Sequence, residues 1–164
     1  MKIGIISRSD LDNKLFWSGV PSNIYSNLKK NKKIKVVKID KLNENLRKIF
    51  AIKREYLKII KKTKFDETYN TKVSKNYASQ IEKRLKNTSN ISHLLTFDLS
   101  LVSYLKTDIP IILWTDILYS DYYRHYFKKQ NISKLSFKDI KLLEYKAIKQ
   151  CKIILISSKW ALNK

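Results

Sequence analysis

Five short apolar runs recur along the chain with helix-length segments between them, and this alternation restricts the fold more than any other feature. The runs are residues 2–7 (KIGIIS), 34–39 (IKVVKI), 93–97 (HLLTF), 110–114 (PIILW) and 152–156 (KIILI). Near-continuous apolar runs of this length, bounded by polar residues, suit strands buried on both faces of a parallel sheet. Between the first two, residues 22–30 place Ile24, Tyr25 and Leu28 at helical spacing, with Pro21 near the start, where its missing N–H costs least. Residues 43–62 form a long lysine-rich helical candidate, with Leu46, Ile49, Phe50, Lys53, Leu57 and Ile60 following one face. Residues 75–86 present Tyr77, Ile81 and Leu85 in the same way. Both helices are expected to cover the sheet. A short helix is expected at 99–105, and a long one from Ser136, with Asp139 as a weak capping box, to about Gln150. The final residues, SSKWALNK, begin another.

Strands alternating with helices require crossover connections, which are right-handed. The expected fold is therefore α/β: a single Rossmann-like domain over residues 1–164 with a doubly wound parallel sheet. Ligands bind such sheets beyond the carboxyl ends of the strands. Three loops are singled out on that basis: residues 7–21, 114–119 and 157–160.

Charge is the second constraint. The chain has a formal net charge of +21, from 35 basic and 14 acidic residues. A polyanion partner is the obvious reading. Yet only five of the basic residues are arginine, the residue on which bidentate phosphate and base recognition draws most. Lysine is scattered, and with Asn, Ile and Tyr plentiful and glycine found twice, the bias of an AT-rich coding sequence accounts for much of the charge. If the basic surface is functional, anionic lipid headgroups or sugar phosphates are favoured over nucleic acid. No apolar run approaches the length of a membrane span, and the amino terminus carries no export signal. A cytoplasmic chain is expected, with peripheral contact at the inner face of the membrane as a variant. Cys151, the single cysteine, sits where a helix meets a strand and reads as an inert core thiol.

Within the first loop, Gly19 stands just ahead of a helix in a chain that otherwise avoids glycine, so the backbone there is expected to need positive φ or close approach to a ligand. The segment Trp17, Ser18, Gly19, Val20 and Pro21 is the candidate acceptor or phosphate loop, since helix amino termini favour anions. An ordinary tight turn is the plain alternative. In the second loop Asp116 could act as a general base, bind a hydroxyl, or cap the following segment. Trp114, Thr115 and Tyr119 are candidate cleft residues beside it, core packing being the alternative for the indole. Glu144 falls on the buried arc of its helix, with Phe137, Ile140, Leu143, Ala147, Ile148 and Cys151. A carboxylate there needs partners, and the serine loop of Ser157 and Ser158, with Trp160 close behind, is the expected source. A pocket-facing role for Glu144 is the alternative. His93 and His125 have no Cys or Asp at ligand spacing, so no metal site is expected.

Read together, WSGVPSNIY at 17–25, TDIPIILWTD at 107–116, Glu144 with Ala147 and Cys151, and ISSKWA at 156–161 resemble the amino-terminal domain of family 4 (group 1) GT-B glycosyltransferases. The resemblance runs through nearly the whole chain in order; residues 43–88 are generic. It implies transfer of a sugar, with retention of configuration, from a nucleotide-sugar donor to a hydroxyl on an acceptor sugar, glycolipid or other acceptor, with no cofactor or metal required. It also implies that this domain binds mainly the acceptor, and that a separate carboxyl-terminal domain binds the donor. Gly19 matches the glycine loop that approaches donor phosphates in relatives, although Ser18 replaces a second glycine many of them have. Asp116 and Thr115 fall where many relatives carry a histidine, so a catalytic role for Asp116 follows only by position. No donor domain is present in these residues, so the chain alone is expected to be inactive or nearly so, its last helix cut short. The alternatives are a basic module that binds anionic lipid or nucleic acid without chemistry, and a non-functional gene fragment.

Overall fold

A computed structural model of the chain describes residues 1–127, 131–157 and 159. Five strands, β1 (Lys2–Ile6), β2 (Lys35–Ile39), β3 (His93–Thr96), β4 (Ile111–Thr115) and β5 (Ile153–Ile156), form one sheet in the order β2-β1-β3-β4-β5. Every pair is parallel. The α/β, Rossmann-like expectation holds, and the apolar runs coincide with the strands. Five α-helices connect them: α1 (Val20–Lys30), α2 (Asn45–Lys61), α3 (Thr71–Lys86), α4 (Tyr119–Phe127) and α5 (Lys134–Gln150).

Alternation along the strands divides the core between two faces. Ile6, Leu94, Ile111 and Leu113 point to the side covered by α3 and α5, where they meet Tyr77, Ile81, Ile140 and Leu143. Ile3, Ile5 and Leu95 point to the other side, against Ile24, Tyr25 and Leu28 of α1. Gly4 is fixed by this packing, because a Cβ there would stand 2.9 Å from Leu94 Cδ2 and 3.1 Å from Ile39 Cδ1.

Three helix boundaries differ from the expectation. Helix α5 opens at Lys134 because Ser133, not Ser136, is its cap: Ser136 N donates to Ser133 Oγ at 3.1 Å. Asp139 faces α3 instead of its own amino terminus, accepting from Thr71 Oγ1 at 2.7 Å and from Asn70 Nδ2 at 3.1 Å. Helix α3 begins at Thr71, four residues early, since Asn70 Oδ1 accepts from Lys72 N and Val73 N. The expected helix at 99–105 shrinks to a single 3-10 turn, Leu99–Leu101.

Helix α2 departs most. It contributes no buried residue; Leu46 and Phe50 pack on the core from its edge, whereas Ile49 and Ile60 face outward. The chain leaves the carboxyl-terminal rim of the sheet at Glu44, whose Oε1 lies 3.8 Å from Arg8 Nη1, and regains that rim at Tyr69. Buried Glu67 holds the excursion together, with Arg54 Nη1 at 2.6 Å and Arg47 Nη1 at 3.3 Å. Helix α2 is thus an arm held at the edge of the core against α3 by Leu46 and Phe50, with much of its apolar surface turned outward, and covers the sheet only in part.

Candidate functional site

The strand order reverses direction between β1 and β3, and a crevice opens beyond their carboxyl ends, as a sheet of this order requires. The register sets its chemistry. Ile6 pairs with Thr96, so the residues two places further on, Arg8 and Asp98, leave neighbouring strands side by side. Arg8 Nε lies 2.8 Å from Asp98 Oδ2, with its N–H turned off the line to the oxygen, so the contact is an ion pair without an aligned hydrogen bond. Asp98 is held in turn by the 3-10 turn it caps: Oδ1 accepts from Ser100 N at 2.9 Å and Ser100 Oγ at 2.7 Å. Asp98 and its neighbouring acid Glu44 raise the pKa of Arg8 above its ordinary value in spite of burial, so the guanidinium stays charged.

An inner recess of about 130 Å³ includes Arg8, Phe16, Trp17, Tyr69, Phe97 and Tyr119 in its walls. An outer lobe of about 310 Å³ shares Trp17, Tyr69, Phe97 and Tyr119 and adds Thr115, Asp116, Ile117 and Tyr122. Of these two lobes, the outer one reaches the size of small-molecule sites, about 300–1,000 Å³. The walls are aromatic. Trp17 meets the edge of Phe97 with centroids 6.1 Å apart, and Tyr69 stacks on Tyr119 at 3.9 Å. Asp66 fixes that stack from behind, accepting from Tyr69 N at 2.9 Å and from Tyr123 Oη at 3.3 Å. Burial raises the pKa of Tyr69 and Tyr119, so both phenols remain neutral.

Trp17 reaches the cleft through an unusual backbone. Trp17 (φ 49), Ser18 (φ 53) and Gly19 (φ 78) are three consecutive left-handed residues. The first two are strained side-chain-bearing positions, at a cost of roughly 1–2 kcal/mol each. Gly19 could be nothing larger, because a Cβ would stand 2.9 Å from Lys14 O. The expected positive φ is therefore found, but the chain around it presents an indole: Trp17 lines the cleft, while Ser18, Gly19, Val20 and Pro21 are not among its lining residues. Ser7, by contrast, lines the recess with a buried hydroxyl that has no hydrogen-bond partner among the described residues.

The remaining sequence-derived candidates divide. Asp116 is exposed at the mouth of the outer lobe and makes no hydrogen bond among the described residues. Thr115 is buried beneath it and donates from Oγ1 to Ile117 O at 3.0 Å. Trp114 is not in the cleft; it packs on the α1 side of the sheet, because successive strand residues face opposite ways. Glu144 is buried and does not line the cleft. Its partner among the described residues is the start of α4: Ser120 N donates to Glu144 Oε1 at 2.7 Å. Burial raises the Glu144 pKa, with the bonds from Ser120 and Tyr119 opposing. Ser157 is exposed and bonded through its N–H to Thr115 O. Ser158 and Trp160 lie outside the described residues.

Arg8, Tyr69, Phe97 and Asp98 form the centre of the site and were not singled out from the sequence. Their signal was positional: Arg8 and Asp98 each stand two residues past the end of a strand. Among the described residues no group of three His, Cys, Asp or Glu side chains gathers to hold a metal. Comparison with protein-family models, curated proteins and solved structures finds no match for this chain.

Proposed function

We propose that the chain is the acceptor-binding half of a GT-B glycosyltransferase, holding a hydroxyl-bearing acceptor in the cleft between Trp17 and Tyr119. One observation carries this reading: the loops after β1, β3 and β4 converge on a single cleft at the sheet's switch point, with aromatic walls and a charged floor. Flat apolar faces such as Trp17, Phe97 and Tyr119 suit the C–H faces of a sugar ring, and a few placed polar groups then fix its orientation. Arg8, kept charged by Asp98, offers N–H donors to ring or phosphate oxygens. Asp116, exposed at the mouth, is positioned to accept a hydrogen bond from an acceptor hydroxyl and to orient it or take its proton. The nucleotide-sugar donor, and the charge stabilisation of its leaving diphosphate, require a donor-binding domain outside these residues. No cofactor enters this scheme.

The test is sugar transfer from a panel of nucleotide sugars, read as released nucleoside diphosphate, with the chain alone and with a separately expressed GT-B donor domain. Release is expected only in the mixture, and Asp116→Asn and Trp17→Ala should lower it. No release from the mixture while the chain remains folded overturns the reading.

A further inference from the structure

The outer face of α2 is apolar where a helix on a protein surface should be polar. Ile49, Ile52, Tyr56, Ile59 and Ile60 keep between 58% and 73% of their surface exposed. At about 100° per residue these five fall within an arc of about 100°. Lys48 and Lys53 stand about 20° beyond its two edges. The segment 45–64 holds eight basic residues and one acid, Glu55, which is engaged by Arg54 at 2.8 Å. Beside the helix end lies a groove of about 570 Å³ bordered by Arg54, Lys58, Lys62 and Lys64.

We infer that α2 is a membrane-docking arm that lies in the interface of an anionic phospholipid surface, its isoleucine stripe among the acyl chains and its lysines at the headgroups. Helices of this pattern, apolar on one face with lysine at the margins, bind in the plane of the interface. Charge selects the occupant. A second copy of this chain would set one strongly basic surface against another, and nucleic acid has no use for four adjacent isoleucines. An anionic bilayer accommodates both halves of the pattern, and the basic groove is placed to take a phosphate headgroup. The excursion that carries α2 leaves at Glu44, which reaches Arg8 of the cleft at 3.8 Å, and returns at Tyr69, a cleft wall, so the arm and the cleft share one rim of the molecule. This inference does not depend on glycosyl transfer.

The test is co-sedimentation of the full chain with vesicles of phosphatidylcholine alone or with about 30 mol% phosphatidylglycerol. Binding is expected only with the anionic vesicles and should weaken steeply with salt. Ile52→Asn with Ile59→Asn should lower it by at least about tenfold. Lys48→Gln with Lys53→Gln should lower it several-fold. Because α2 contributes no buried residue, both variants should keep the wild-type circular dichroism. Equal binding to both vesicle types, no binding to either, or isoleucine variants that bind like wild type overturns the inference. So does a dimer that the isoleucine variant abolishes, since the stripe would then belong to a second copy.

Discussion

Arg8 Nε stands 2.8 Å from Asp98 Oδ2, joining the ends of β1 and β3 across the point where the sheet changes direction. Both side chains are largely withdrawn from water, so neither charge is easily left alone. Arg8→Met and Asp98→Asn should each destabilise the fold by about 2 to 3 kcal/mol, somewhat less than the loss from a fully buried pair. The double variant should recover at least about 1 kcal/mol relative to the sum, as contacting residues do. Urea denaturation of the four proteins checks this, and strict additivity would contradict it.

The left-handed run before α1 gives a prediction of opposite signs at adjacent positions. Gly19→Ala should cost at least about 1 to 2 kcal/mol, because a side chain at φ 78 is strained and would crowd Lys14 O. Ser18→Gly should range from neutral to about 1 kcal/mol stabilising, relief of left-handed strain being partly offset by backbone entropy. Thermal unfolding of the two variants distinguishes this from an ordinary turn, in which both changes would be small.

Glu144 gives a pH dependence with a definite sign. Its folded pKa is raised by burial, so over the window above the unfolded value of about 4.3 the folded state holds more protons than the unfolded one. Stability from this group therefore falls as pH rises through the window. Buried Asp66 acts in the same direction, from a start near 3.9. Asp10, lowered to about 2 by Lys41, acts oppositely: its contribution is present above about 3.9 and is lost as pH falls toward 2. Glu144→Gln keeps an acceptor for Ser120 N and removes the charge, so its stability should drop less than wild type as pH rises above about 4.3. Identical slopes for the two proteins would count against the buried carboxylate.

Cys151 is half-buried, and burial pushes its thiol up to about 11. The reactive thiolate at neutral pH is thereby reduced by about two orders of magnitude. Because a thiolate of higher pKa is also more nucleophilic, alkylation of the native chain should be slower than that of the urea-unfolded chain by about tenfold or more. Comparable rates would mean that the α5–β5 junction is open in solution.

The strands were legible because each is an apolar run flanked by polar residues, and Glu144 was legible as buried because helical periodicity fixes which face it occupies. Its partner was not, since nothing local says that the start of α4 stands above that face. The same limit hid the centre of the site. Arg8 and Asp98 lie 90 residues apart and become neighbours only through the β1–β3 pairing, which is a property of strand order. For Trp114 the sequence allows cleft or core, and strand alternation decides for the core on the α1 side. Helix α2 was read as a sheet cover because its apolar residues follow helical spacing; they in fact occupy two faces, and spacing alone does not say which one meets the protein.

The cleft between Trp17 and Tyr119 is proposed to bind a hydroxyl-rich acceptor. The most direct measurement is a titration of the isotopically labelled chain with a panel of glycosides and phosphorylated sugars, following backbone amides and indole N–H signals by NMR. Saturable shifts at the Trp17 indole, Phe97, Asp98 and Tyr119, lost in Trp17→Ala, with Trp114 unmoved, are the expected result. A folded chain that shows no saturable shift at these residues with any member of the panel, or shifts confined to another surface, would contradict it.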